Sequence, residues 1–387
     1  MKRARGLTDP APAADEAGER PRVVWQVPAP PDDYVVEIGR LFDGVRGTYR
    51  RHVDMHVRGG RIAAVVGRGV LPPVGRIIDA RDATVIPGLI DVHAHQSALV
   101  GERLGRAWLA YGVTTVREVT TAPAEALERA EAWGSGRLAG PRLVVSPADD
   151  ASAALVGTDL PRYPGIAHGL AHSLRRQTAE LTIPALAAYP ARLGLEIASH
   201  RVELELSPGF TAYQDGFSRL IASGSTFVTG LAPLAGMQGN TSARARDDKA
   251  YRALFTVAER AQWERPETLA AIVPALQRTV ARLVRGGGRV AIGSDAPAVP
   301  YGFGVHLELA LLASAGMAND HVLRMATTQG ALALGLEQQL GTLEEGKLAD
   351  FVVLDGDPLT TIADTLRIVA TVKGGHWYAR ETLLAPP

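Results

Sequence analysis

Two histidines one residue apart, His93 and His95, close an apolar run from Ala83 to Ile90. The run reads as a buried strand interrupted by the turn pair Pro87-Gly88. Residues i and i+2 of a strand point to the same side. His93 and His95 therefore offer two imidazoles to one point, the donor arrangement that a zinc-type cation takes. Further along, Arg289-Val-Ala-Ile-Gly-Ser-Asp295 reads as a strand with a carboxylate at its C-terminal end. Asp295 can ligate a metal and accept a proton from metal-bound water. It could equally be the N-cap of a following helix. A third strand, Leu195 to Ser199, runs into His200. Three histidines and an aspartate give the three or four ligands of a catalytic zinc with one open position.

The elements that position these residues alternate. Residues 33–82 are β-rich, with runs at Tyr34–Ile38, Val53–Val57, Arg61–Val66 and Ile77–Val85, and a hairpin signal at Gly59-Gly60. After His95 come a helix-like stretch from Leu99 to Tyr111, a strand from Gly112 to Glu118, a helix from Thr121 to Gly134 and a strand from Pro141 to Ser146. This β-α-β-α rhythm predicts a parallel sheet with right-handed crossovers. It returns with a helical stripe at 269–284, the strand 289–295 and helices over about 303–315 and 319–335. The end is β again, at Asp350–Leu354 and Ile368–Val372. The expected α/β fold is a distorted or partly truncated (β/α)8 TIM-like barrel over 83–338. A small β-sandwich, built from both chain ends, takes 33–82 and 339–380. Residues 1–32 are expected to be a disordered tail or linker.

Bulk properties narrow the function classes. The 387 residues carry a formal net charge of zero, so nothing electrostatic recommends nucleic acid or an anionic membrane as a partner. The absence of cysteine excludes disulfides, thiolate zinc sites and cysteine nucleophiles. No apolar run is long enough to span a membrane, and the first residues lack a signal-peptide core. The expected partner is a small-molecule substrate, with room for a homo-oligomer, in the cytoplasm.

At this point the sequence resembles the amidohydrolase superfamily. The matching residues are Pro87–His95, Gly112–Arg117, Ser199-His200, Gly293-Ser-Asp295 and Leu340–Asp355. Gln96, Gly101–Tyr111, Tyr213–Asp215 and Tyr301–His306 are similar to the imidazolonepropionase-like group often fused behind a Tol-type β-propeller. The resemblance implies a metal-dependent hydrolase of C–N bonds in amides, cyclic amides or dipeptides. His93, His95, His200 and Asp295 would hold one zinc or other divalent first-row metal. Asp295 would be the catalytic proton carrier for metal-activated water. Asp91, Glu118 and His306 are candidates for a supporting or substrate-facing role.

The sequence also departs from the family. Many relatives bridge two metals with a carboxylated lysine from strand four. The four lysines here are Lys2, Lys249, Lys347 and Lys373, so none is available to that strand. Glu180 is the nearby acidic substitute. Leu204 stands where a strand-six histidine is expected. About 25 residues separate His200 from the strand at Thr226, fewer than the roughly 30 of one βα unit. His168 and His172 are spaced to share a helix face. These departures motivate an alternative: a degenerate amidohydrolase-fold protein with little or no catalytic activity. A deaminase or isomerase on the same scaffold is a further alternative.

Overall fold

The computed structural model describes residues 31–96, 101–120, 123–147, 197–198, 226–237, 245–264 and 273–385. Both chain ends meet in one seven-stranded sheet, in the order β13-β12-β11-β4-β1-β2-β3. Its strands from the first end are β1 (Tyr34–Leu41), β2 (Arg50–Arg58), β3 (Arg61–Gly67) and β4 (Arg76–Pro87). From the other end come β11 (Phe351–Leu354), β12 (Ile368–Lys373) and β13 (His376–Ala379). The hairpin between β2 and β3 turns at Gly59 and Gly60, whose φ values of 53° and 76° belong to a tight turn that favours glycine. The expected sandwich thus takes the form of one continuous sheet. Its buried face is apolar, with Val36, Ile38, Met55, Val57 and Phe351 in one cluster.

Strand β4 joins the two halves. Tyr34 to Ile38 of β1 run parallel to Arg76–Ala80, while Phe351–Leu354 pair antiparallel with Thr84–Pro87. Residues 83–87 therefore belong to this sheet, and the hand-over to the rest of the fold lies at Gly88 rather than at residue 83. A side chain there would collide with Thr114, since a Cβ would lie 2.2 Å from its hydroxyl oxygen.

The second unit is a parallel arc. Strands β5 (Leu89–Ala94), β6 (Val113–Thr120) and β7 (Arg142–Pro147) pair in that order. Strands β8 (Ile197–Ala198), β9 (Thr226–Val228) and β10 (Arg289–Ala291) form a second parallel set. Backbone hydrogen bonds stitch the two sets together along β5: Val92 N–H donates to Ile292, Asp295 N–H to His93, and His95 N–H to Ala296. The described strands thus make a six-stranded arc, β8-β9-β10-β5-β6-β7. Strand β8 pairs directly with β9.

Helices cover the arc. They are α1 (Arg103–Ala110), α2 (Pro123–Gly134), α3 (Leu231–Ala235), α4 (Lys249–Leu254), α5 (Val257–Trp263), α6 (Val273–Arg285) and α7 (Phe303–Ser314). After α7 come α8 (Asn319–Met325), α9 (Thr328–Ala333) and α10 (Arg380–Leu384). The single helix expected over 319–335 is broken at Thr327, whose φ of −132° and ψ of −88° leave the helical region. The main core gathers Trp108, Tyr111, Tyr251, Tyr301 and Phe303, with Trp108 and Tyr301 edge to face at 5.7 Å.

Asp350 ties sheet and arc. One carboxylate oxygen accepts from Arg142 of β7 at 2.6 Å, the other from the Gly374 amide at 2.7 Å. The carboxylate is 5% exposed, so removing it strands Arg142 and an amide at a covered junction. We expect Asp350→Ala to lower the stability of the chain by about 2–4 kcal/mol in urea denaturation. An unchanged midpoint would contradict this role.

Candidate metal centre

The ligand atoms of His93, His95 and Asp295 lie within 4.8 Å of one another, and among the described residues this is the one such group of three. His93 Nε2 and His95 Nε2 each stand 3.3 Å from Asp295 Oδ1. A cation with bonds of about 2.05 Å at tetrahedral angles would separate its ligand atoms by about 3.3 Å. The donor set and its spacing therefore fit a zinc-type ion. The two rings stand edge to face, 5.2 Å apart and inclined at 85°, so both can turn a nitrogen toward one point without stacking.

Each donor is set by its local chain. His95 Nδ1 lies 2.6 Å from the Val119 carbonyl. A carbonyl only accepts, so Nδ1 carries the proton and Nε2 keeps its lone pair for a cation. His93 is buried, whereas the side chains of His95 and Asp295 are 32% and 27% exposed. The point between them is thus approachable from one side.

Asp295 is not in a regular strand. Strand β10 ends at Ala291, and Asp295 has φ of 54°. This left-handed conformation is uncommon outside glycine, and aspartate is among the residues that tolerate it. Backbone bonds to β5 hold it there, which turns the carboxylate back onto the two imidazoles. Gly293 permits the approach: a Cβ at that position would sit 2.6 Å from both His93 Cβ and a Val228 methyl. Burial works to raise the Asp295 carboxyl, but when the Nε2 atoms of His93 and His95 carry protons, their hydrogen bonds and charge overcome it and hold it far below the ordinary range.

The supporting residues divide in function. Asp91 Oδ1 accepts from the His93 amide at 3.1 Å and the Ser294 amide at 3.0 Å. It thereby braces both ligand-bearing segments from behind. Complete burial pushes its carboxyl up to about 6, against the lowering effect of Ser294 and His93. Glu118 faces Arg129 of α2 at 3.2 Å and also receives the Gln96 amide, so it backs the turn after His95. Burial raises its carboxyl despite Arg129.

His306 lies within the core. Its Nε2 lies 2.9 Å from the Tyr111 carbonyl and its Nδ1 2.9 Å from the Thr365 hydroxyl. Both ring nitrogens are thus committed to joining α7 to α1 and to the 3-10 turn Ile362–Leu366. Burial lowers its pKa to about 4, so the ring is a neutral tie within the core rather than a substrate-facing group. His200, Glu180, His168, His172 and Leu204 lie outside the described residues, as does the expected tail up to residue 30.

Two contributors carried no signal in the sequence. The Val119 carbonyl is a backbone group. Glu308 lies in an apolar helix, yet it is fully buried and its Oε1 accepts from the Ala232 amide at 2.6 Å. It fixes the segment after β9 beside the Asp295 loop.

The chain also has recognisable relatives. Residues 268–378 match the Amidohydrolase family. The imidazolonepropionase of Symbiobacterium thermophilum is 29% identical over an alignment of 359 residues that spans 77% of this chain and 82% of that protein. The chain is thus similar to proteins of the amidohydrolase superfamily. A shorter match, 40% identical over 85 residues, is to the N-acyl-D-glutamate deacylase of Alcaligenes xylosoxydans xylosoxydans and covers 22% of this chain and 17% of that one. Among solved structures, a molinate hydrolase superposes with a TM-score of 0.66 at 16% identity, covering 93% of this chain and 97% of its own. A Xaa-Pro dipeptidase with bound methionine gives 0.62 at 19% identity, covering 90% and 100%. These likenesses show a shared fold. No helix among the described residues is long and apolar enough to cross a membrane.

Burial is also the first cause acting on Glu308, whose carboxyl is pushed up to about 8, with the charge of Asp91 adding to it. Its folded value thus exceeds the ordinary carboxylate value of the unfolded chain. The folded state holds a proton that the unfolded state releases between about pH 4.5 and 8, so this contribution to stability falls as pH rises through that window. Glutamine mimics the protonated acid without titrating. Glu308→Gln should therefore gain stability relative to the parent between pH 5 and pH 8, on the order of a few kcal/mol by urea midpoint. A gap that stays constant with pH would contradict a buried neutral acid.

Proposed function

We propose that the chain is a metal-dependent hydrolase acting on C–N bonds of amides, cyclic amides or dipeptides. One observation carries the reading: two imidazoles and a carboxylate converge at 3.3 Å spacings on a partly open point. His93, His95 and Asp295 would hold one zinc or similar divalent ion, with His200 as the further ligand that the family resemblance suggests. The ion, when bound, would lower the pKa of water toward neutrality and polarise the substrate carbonyl.

The remaining work falls to the chain's own residues. Asp295 takes a proton from the attacking water as its oxygen adds to the carbonyl carbon. It then delivers that proton to the leaving nitrogen as the C–N bond breaks, yielding a carboxylic acid and an amine. A carboxylate within reach of the attacking water can act as the general base and then as the acid in this step. Asp91 holds the His93 backbone and the Val119 carbonyl holds the His95 ring, so that little reorganisation is needed as charge moves.

Relatives named as hydrolases support the C–N reading at the level of reaction class. The deacylase, imidazolonepropionase and dipeptidase act on different molecules, so substrate choice is tested by screening all three bond types. Relatives named as deaminases match 20–22% of the chain and keep C–N hydrolysis of a ring amine as the second reading.

The decisive variant is Asp295→Asn, which keeps shape and an oxygen donor but cannot carry the proton. We expect kcat to fall by about 10²–10⁴-fold on any amide that the parent hydrolyses. Full activity in that variant would sink the assigned role.

A further inference from the structure

A cleft lies between α4, α5 and the segment that precedes them. It has a volume of about 320 Å³ and includes Arg246, Tyr251, Arg252, Arg260 and Glu264 in its wall. Three guanidinium groups thus share one space with a single carboxylate. That carboxylate, Glu264, stands 3.6 Å from Arg246. The neighbouring Glu259 is engaged elsewhere, by Arg103 and by the capping box with Thr256. Asp248 is likewise held by Arg380.

The cations are placed rather than scattered. Arg252 donates to the Arg246 carbonyl, and Arg260 donates to the Arg252 carbonyl at 3.3 Å. Carbonyls fix a guanidinium without cancelling its charge. Arg260 lies 6.0 Å from the centre of the Tyr251 ring. Beneath this layer the Tyr251 hydroxyl is buried and has no hydrogen-bond partner among the described residues. A buried phenol that neither donates nor accepts costs stability, and such groups are rare in folded proteins.

We propose that this cleft binds a phosphate group, free or as a monoester. A tetrahedral oxyanion offers several oxygens to several donors at once, which suits guanidinium forks better than a single carboxylate does. Arg246, with a side chain 63% exposed, folds over the ligand and uncovers the Tyr251 hydroxyl, which donates to the deepest oxygen. The inference stands apart from the metal centre. It nevertheless places the ligand beside α5, whose Trp263 donates to the Pro297 carbonyl at 2.7 Å, two residues beyond Asp295.

The test is calorimetric titration of the purified protein with inorganic phosphate, methyl phosphate and acetate. We expect one phosphate or methyl phosphate per chain, the tighter of the two naming the source, and acetate at least about tenfold weaker. Tyr251→Phe should weaken binding by about tenfold, and Arg246→Gln/Arg260→Gln should abolish it. Phosphate held at the metal centre instead would be untouched by these changes. Unaltered affinity in both variants, acetate binding as tightly as phosphate, or no binding of either phosphate by the parent would each overturn the proposal. Tyr251→Phe removes only an unpartnered hydroxyl, so its urea midpoint should match or exceed the parent's, which guards against misfolding as the cause.

Discussion

Three backbone hydrogen bonds between β5 and residues 292–296 are the constraint on which the site depends. Val92 to Ile292, Asp295 to His93 and His95 to Ala296 join segments about 200 positions apart in the chain. They bring the paired histidines and the aspartate to one place before any cation acts. The Asp91 carboxylate crosses the same seam to the Ser294 amide. Because the contacts are main-chain and buried, they are hard to lose one at a time. The ligand set inherits the rigidity of the arc rather than that of a loop.

That seam explains the shape of Asp295. A regular strand would carry the chain past His93 and turn alternate side chains away. The positive φ at Asp295 reverses the direction instead, and the hydrogen bond from its amide to the His93 carbonyl holds it there. Gly293 supplies the space that the close approach needs. Local backbone strain of this kind is tolerated where the surroundings over-determine it, and it clusters at sites that do chemistry.

Much of this was legible in the sequence, for a physical reason. His93 and His95 share a strand face because of the period of two, and β1 to β6 fall where apolar alternation places them. The pattern pairs the β-rich ends of the chain, and strands from both ends lie in one sheet. What pattern does not encode is pairing between distant segments. The left-handed Asp295, the Val119 carbonyl behind His95 and the Asp91 brace all arise from tertiary contact. His306 shows the opposite failure. Its residue type suggested chemistry, whereas its two neighbours, Tyr111 and Thr365, consume both nitrogens. Glu308 was hidden because a lone acid in an apolar helix resembles a surface residue until its burial is known. The break at Thr327 was equally invisible, since neither glycine nor proline marks it.

The central claim is that His93, His95 and Asp295 form a metal centre. Its most direct measurement is metal content by plasma mass spectrometry on protein purified without added metal, beside a His93→Ala/His95→Ala variant. The account predicts about one divalent first-row ion per chain, lost in the variant. A folded parent that holds none and takes up no added zinc, or a variant that keeps its ion, would contradict it.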